Sequence, residues 1–131
     1  MAVARVQEAI ALDANFLIKA LVESTQASVM LTGWVQNGCT IQISPIAWSE
    51  YMCGPLDPEV VPAARMLAGR IDTFTAADGE FAALLSNEGG RRSRSHADCM
   101  IAAHAIRRDA ALATLDGPDF RRFTKFGLRL A

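Results

Sequence analysis

Short apolar runs alternate with stretches of helical periodicity along this chain. The residues Ala9-Ile10-Ala11-Leu12 form an unbroken apolar run, the pattern of a strand buried on both faces, and it ends on an acid, Asp13. Residues 15–22 read as a helix. Ser24 is placed to cap a second helix over 25–37, with Gly38 supplying a left-handed stop. A second strand, rich in β-branched residues, covers 40–43. Ser44-Pro45 is a strong helix start, a capping hydroxyl followed by Pro at the first helical position. That helix carries Glu50 and ends near Gly54-Pro55. Residues 58–69 predict another, with Pro62 in its first turn.

The second half repeats the pattern. Residues 71–74 are a short strand candidate. Thr75 and Asp78 have capping-box spacing and open a helix reaching Ser86, which Gly89-Gly90 breaks. Arg91-Arg92-Ser93-Arg94 is a polar loop, and Ser95 caps a helix over 96–108. Residues 110–115 form an apolar strand that again ends on an acid, Asp116, and 128–131 a short edge strand. Strands separated by helices pair in parallel and are covered on both faces. The fold class is therefore α/β, three layers around a mainly parallel sheet of about five strands, within one domain spanning 1–131. Right-handed crossovers bring the strand C-termini to one edge, where such sheets bind ligands.

Composition agrees with a packed domain: 51% hydrophobic and 21% charged. The three cysteines, Cys39, Cys53 and Cys99, are widely spaced without a C-x-x-C pair, which argues against zinc ribbons and redox dithiols and for reduced, buried thiols. Residues 1–12 lack a signal-peptide core, and no run approaches the roughly 18 apolar residues of a bilayer span, so a cytoplasmic protein is expected. Net charge is −1, but residues 91–131 carry +5 and residues 1–90 carry −6. The basic third would attract phosphates, although a plain solvated surface explains it equally well.

The four acids Asp13, Glu50, Asp98 and Asp116 change the picture. Singly, each has a modest explanation. Asp13 caps the next helix, Asp98 is a capping-box acid, Asp116 precedes the turn Gly117-Pro118, and Glu50 is an exposed helix residue. Jointly, all four are expected at the C-terminal edge of the sheet. Two carboxylates about 4 Å apart repel by roughly 4 kcal/mol at an effective dielectric near 20. A divalent cation reverses that sign, and hard oxygen ligands suit Mg²⁺ or Mn²⁺. Such an ion polarises a phosphoryl oxygen and acidifies a water, which is the chemistry of phosphodiester hydrolysis. His96 and His104 lack the H-E-x-x-H spacing, and neither G-x-S-x-G nor a phosphate-binding G-x-x-x-x-G-K-[ST] loop occurs.

At these residues the chain resembles the PIN-domain nucleases, in particular VapC-type toxins of bacterial toxin–antitoxin pairs. Leu12-Asp13-Ala14-Asn15-Phe16-Leu17 is similar to the family's opening D-x-[NS] strand, and Ser44-Pro45-Ile46-Ala47-Trp48-Ser49-Glu50 to the helix that presents a Glu. Ser95-His96-Ala97-Asp98-Cys99-Met100-Ile101-Ala102-Ala103-His104-Ala105 resembles its D-x-x-I-A-A-x-A helix, and Thr114-Leu115-Asp116-Gly117-Pro118-Asp119-Phe120 its T-x-D-x-x-D-F segment. Four such segments in order cover nearly the whole chain.

The resemblance implies an endoribonuclease dependent on one or two Mg²⁺ or Mn²⁺ ions. It also implies a homodimer, and an antitoxin that inserts a segment into the site. Asp13, Glu50 and Asp98 would hold the ion directly or through water. Asp116 is the fourth acid, with Asp119 competing for that role. Asn15 would orient Asp13 or a bound water, and Thr114 would act similarly near Asp116. One or more of Arg91, Arg92 and Arg94 would contact RNA phosphate, the alternative being a disordered, solvated loop. Hydrolysis by an activated water leaves 5′-phosphate and 3′-hydroxyl ends. Two alternatives stand beside this reading: a PIN nuclease of RNA processing or quality control without an antitoxin, and an inactive PIN scaffold that binds RNA or protein. Apolar side chains of the first two helices (Phe16, Leu17, Leu21, Val29, Met30, Trp34), with Trp48, Tyr51 and Met52, are read mainly as core, with some left for a partner.

Overall fold

The computed structural model describes residues 8–67, 71–89 and 96–131. Strand β1 (Ala9–Leu12) lies inside a sheet of order β2-β1-β3-β4, with β2 (Thr40–Gln42), β3 (Ala110–Ala113) and β4 (Arg129–Leu130). Every pairing is parallel; Ile10 registers with Ile41 on one side and Ala111 on the other. Successive strand residues face opposite sides, and all four of β3 are buried, so helices cover both faces.

Between β1 and β2 run α1 (Ala14–Ala20) and α2 (Gln26–Gln36). Between β2 and β3 come α3 (Pro45–Cys53), α4 (Val61–Leu67), α5 (Ala76–Glu88) and α6 (His96–Arg107). The return to β4 passes through α7 (Gly117–Phe120) and a 3-10 helix (Arg121–Phe126). The core joins Ile10, Leu12, Leu17, Leu85, Leu112 and Phe123, each at most 2% exposed, with a set of alanines. Ala102, Ala103 and Ala105 on α6 are fully buried, small enough to let the helix pack closely on β3. Among the described residues no helix is long and apolar enough to cross a membrane.

Capping chemistry sets most helix starts. Ser44 Oγ accepts the Ala47 N–H at 3.0 Å, with Pro45 in the first turn of α3. Thr75 and Asp78 close a reciprocal capping box on α5. Gly38 has φ 79°, the left-handed stop expected there.

Several expectations are corrected. The sheet has four strands, not about five, because 71–74 contributes only an isolated parallel bridge, Ile43 to Ile71. Side chains hold its end instead: Arg108 donates to the Thr73 carbonyl at 2.7 Å, and just beyond the segment Asp78 accepts the Thr75 N–H at 2.8 Å. The cap of α2 is Thr25, whose hydroxyl oxygen accepts from Ser28 N–H, while Ser24 sits at φ 65°. The helix expected over 58–69 starts three residues later, as α4 at Val61–Leu67, and residues 68–69 lie outside the described residues. Val29 and Met52 are not core, at 66% and 42% exposed, whereas Tyr51 is 5% exposed and Trp34 packs on Phe16 with ring centroids 5.6 Å apart. The expected cap Ser95 lies outside the described residues.

Candidate active site

Asp13 follows β1 without a gap, and its backbone N–H continues the ladder to the Ala113 carbonyl at 3.1 Å. The residue is only 5% exposed. Its Oδ1 accepts the Phe16 N–H at 2.8 Å, so it caps α1, and the Thr114 hydroxyl adds a second hydrogen bond. The capping explanation and the pocket location therefore hold together for one side chain.

Asp116 stands three residues beyond the end of β3, not directly on it as expected. Its N–H donates to Thr114 Oγ1 at 2.9 Å, a turn that swings the carboxylate back over the strand ends. Asn15, in the first turn of α1, donates to Asp116 Oδ2 at 3.2 Å. Its hydrogen bond thus serves Asp116, where Asp13 or a metal-bound water had been expected. Glu50 projects from the second turn of α3 and Asp98 from the first turn of α6.

These pieces meet. A pocket of about 190 Å³ is lined by Asp13, Glu50, Asp98 and Asp116 together with Asn15. Ile18, Ile101 and Phe120 form its apolar walls. Asp119 is exposed and does not line it; the buried neighbour Phe120 does. Larger hollows exist, one of about 550 Å³ beside β2, but that one has a mostly apolar wall and Asp72 as its one carboxylate. Arg91, Arg92 and Arg94 lie outside the described residues.

The electrostatics are those of crowded acids. Burial raises Asp13; its hydrogen bonds from Thr114 and Phe16 pull it down, and Asp116 and Asp98 push it up again. Burial, then the charges of Asp98 and Asp13, raise Glu50. Burial raises Asp98, opposed by the Arg122 charge and reinforced by Asp119 and Asp116. All three therefore resist ionisation in the metal-free protein.

As they stand, no three His, Cys, Asp or Glu side chains among the described residues form a ready group of metal ligands. The donor chemistry still fits a hard dication. Mg²⁺ keeps several waters and is commonly bound through only one or two carboxylates, and burial together with neighbouring acids makes Asp13, Glu50 and Asp98 resist their own charge.

Sequence reasoning missed the apolar walls and Arg122. Ile18 lies three residues after Asn15 and Ile101 three after Asp98, so helical spacing alone places each beside a polar residue of the site. Arg122 carries no such signal: the three-residue spacing of Phe120, Phe123 and Phe126 marks the buried side of its 3-10 helix but not what Arg122 itself meets.

Known proteins bear on this arrangement. The PIN-domain family model matches residues 10–125. No curated protein matches the chain. Among solved structures, VapBC2 from Rickettsia felis bound to a promoter DNA fragment matches with TM-score 0.67 and 23% identity, covering 94% of this chain and 97% of that one. FitAcB from Neisseria gonorrhoeae matches with TM-score 0.68 and 22% identity, covering 92% and 95%. A toxin–antitoxin complex from Klebsiella pneumoniae matches with TM-score 0.68 and 25% identity, covering 85% and 89%.

Proposed function

The chain belongs to the PIN-domain family, a family of nucleases, and on that footing we propose that it is a metal-dependent endoribonuclease, the toxin of a toxin–antitoxin pair acting in the cytoplasm. The observation that carries this reading is the pocket. Four acids from remote stretches of chain line one small cavity, and three of them are raised by burial and by one another's charge. Crowding of this kind is costly without a cation and useful with one.

In this reading Asp13, Glu50, Asp98 and Asp116 would hold Mg²⁺ or Mn²⁺, in one or two ions. When bound, the ion supplies Lewis-acid polarisation of the phosphodiester and acidifies a water. The chain's own residues do the rest. Asp13 is fixed by the α1 cap and Thr114, so its carboxylate meets the ion without a loss of rotamer freedom on binding. Asn15 holds Oδ2 of Asp116 and so orients its carboxylate. Ile18, Ile101 and Phe120 keep bulk water off one side of the pocket.

The toxin part of the proposal is supported by the toxin–antitoxin complexes among the structural matches. An apolar groove of about 300 Å³, lined by Leu21, Val22, Tyr51, Leu56 and Val60, shares Ile18 with the acid pocket. A partner segment lying in that groove would reach the acids. Exposed Val29, Met52 and Met66 offer apolar surface for a homodimer.

The test is direct. Purified protein should cleave single-stranded RNA in Mg²⁺ or Mn²⁺ and not in EDTA, leaving 5′-phosphate ends. Asp13→Asn and Asp98→Asn should abolish cleavage and also relieve growth arrest on expression. Cyclic 2′,3′-phosphate ends, or cleavage undiminished in both variants, would defeat the reading. Cleavage without growth arrest would favour an RNA-processing nuclease that has no antitoxin.

A further inference from the structure

The acid pocket sets a problem that its own residues do not solve: RNA is a polyanion and must approach four carboxylates. Arg122, in the first turn of the 3-10 helix, lies two residues beyond the pocket wall Phe120. Its guanidinium carbon sits 4.5 Å from the centroid of the Phe123 ring, and Phe123 is fully buried. Stacking on an immobile ring fixes the guanidinium's place. Its Nε is buried with no hydrogen-bond partner among the described residues. Its field nevertheless reaches α6: burial raises both Asp98 and Cys99, and the Arg122 charge is the first influence that opposes it in each. No ion pair with Asp98 is formed within 4.0 Å. Arg122 is therefore unpaired with Asp98, and its place by the acids follows from Phe123, whose ring centroid lies 6.2 Å from that of the pocket wall Phe120. A guanidinium carries five donors in a planar fork matched to phosphate oxygens.

We propose that Arg122 is a substrate-contacting residue, its guanidinium, held over the Phe123 ring, receiving a backbone phosphate of single-stranded RNA beside the acid pocket. The assignment rests on the ribonuclease reading above. Arg122 fixes one phosphate next to the acids, so the scissile group arrives in register, and it offsets the local repulsion of the strand. A lysine at this position would keep the charge but lose the planar stack and the paired donors.

The test uses the full chain and a fluorescent, unstructured RNA oligonucleotide. Binding is measured in EDTA, where the strand stays intact, over a series of KCl concentrations. Cleavage is measured separately in Mg²⁺. Arg122→Gln is expected to weaken RNA binding about tenfold and to reduce the slope of log affinity against log salt by about 0.7, the value for one phosphate contact on a single strand. Its KM should rise while kcat changes little. Arg122→Lys should keep the wild-type salt slope with intermediate affinity, and it serves as the informative variant should the Gln variant fold poorly by circular dichroism. A role confined to shielding Asp98 would alter kcat or metal response and leave the salt slope of both variants at the wild-type value. That result, with wild-type cleavage intact, overturns the Arg122 assignment alone. If the wild-type protein neither binds nor cleaves RNA in Mg²⁺ or Mn²⁺, the ribonuclease reading falls, and this assignment with it.

Discussion

Asn15 donates a hydrogen bond from Nδ2 to Oδ2 of Asp116 at 3.2 Å, joining side chains 101 positions apart in the chain. The bond ties the first turn of α1 to the turn after β3, and so holds two of the four acid-bearing segments in a fixed relation. Asn15 itself is exposed, so its replacement removes little packing. Asn15→Ala is therefore expected to leave the melting temperature near the wild-type value. It should weaken Mn²⁺ binding by roughly 10- to 100-fold, the usual effect of losing a residue that orients a metal ligand. Calorimetric titration with Mn²⁺ measures this, and an unchanged affinity would show that Asp116 needs no such support.

Asp13 has two duties that mutation separates. As the cap of α1 it accepts the Phe16 N–H, and asparagine caps a helix as well as aspartate does. As a buried acid it is raised, which means that its charge is held at a cost in the folded state. Asp13→Asn should keep the cap and shed the charge, giving a metal-free protein at least as stable as wild type at neutral pH yet without cleavage. Asp13→Ala should lose both, with about 1 kcal/mol of stability gone. Urea unfolding of the two variants in EDTA decides it. Equal destabilisation by both would mean that capping is not what Asp13 contributes.

Much of this was legible in the residues, for a physical reason. A strand running into an acid, as Leu12 into Asp13, places that acid at the ligand edge of any parallel sheet. Ser44-Pro45 starts α3 so firmly that the position of Glu50 one turn further on follows. Where local signals compete, periodicity misleads. Residues 71–74 look like a strand, but Arg108, just past the end of α6, claims the Thr73 carbonyl, and Asp78 of α5 claims the N–H of Thr75 next to the segment, which no local pattern announces. Ser24 and Thr25 are both capping types. Thr25 takes the role because its hydroxyl also donates to the Lys19 and Val22 carbonyls, which seals the preceding turn. Which oxygen Asn15 would serve, and that Arg122 would stack on Phe123 beside Asp98, depend on tertiary placement alone.

The raised acids also fix the pH dependence of metal binding. A carboxylate raised in the folded state contributes stability below its unfolded value and loses it as pH rises through the folded value. Asp13, Glu50 and Asp98 all have this sign. The metal-free fold is thus most burdened near neutral pH, where all three are charged, and a dication relieves that burden. At a hundred times its Kd a bound ion adds about 2.7 kcal/mol. Thermal melts with and without Mn²⁺ should show the largest shift near neutral pH, shrinking as pH falls toward roughly 4, where unperturbed carboxylates protonate. The shift should be absent in an Asp13→Asn/Asp98→Asn double variant. A shift that is independent of pH, or that survives in the double variant, would place the ion elsewhere.

A second buried acid follows the opposite rule and supports the fold far from the pocket. Asp78 is fully buried. It accepts from Arg107 Nε at 2.7 Å, from Arg108 Nη2 at 2.9 Å and from Arg108 Nη1 at 3.1 Å, besides closing the α5 capping box. Burial pushes it up, but Arg108, the Thr75 N–H, Arg107 and the Thr75 hydroxyl outweigh that and hold it well below the usual carboxylate range. A depressed acid contributes stability that is complete above its ordinary value of 3.8 and is lost as pH falls toward the folded value. Removing it strands two guanidinium groups, one of them only 20% exposed. Asp78→Ala should therefore cost about 3 kcal/mol, the lower end for breaking a buried pair, because Arg107 remains partly solvated. Neighbouring His104 adds a separate limb. Burial and the Arg108 charge lower it, against Asp78, Asp72 and the Thr73 carbonyl, and its Nε2 has no partner among the described residues. A lowered histidine contributes stability that is complete above 6.5 and fades as pH drops below that value. Chemical denaturation from neutral to acidic pH should thus show one loss beginning below 6.5 that His104→Gln removes, and a second below 3.8 that Asp78→Asn removes. A wild-type profile identical to that of Asp78→Asn below 3.8 would mean that the α5–α6 ion network leaves the acid stability of the fold unchanged.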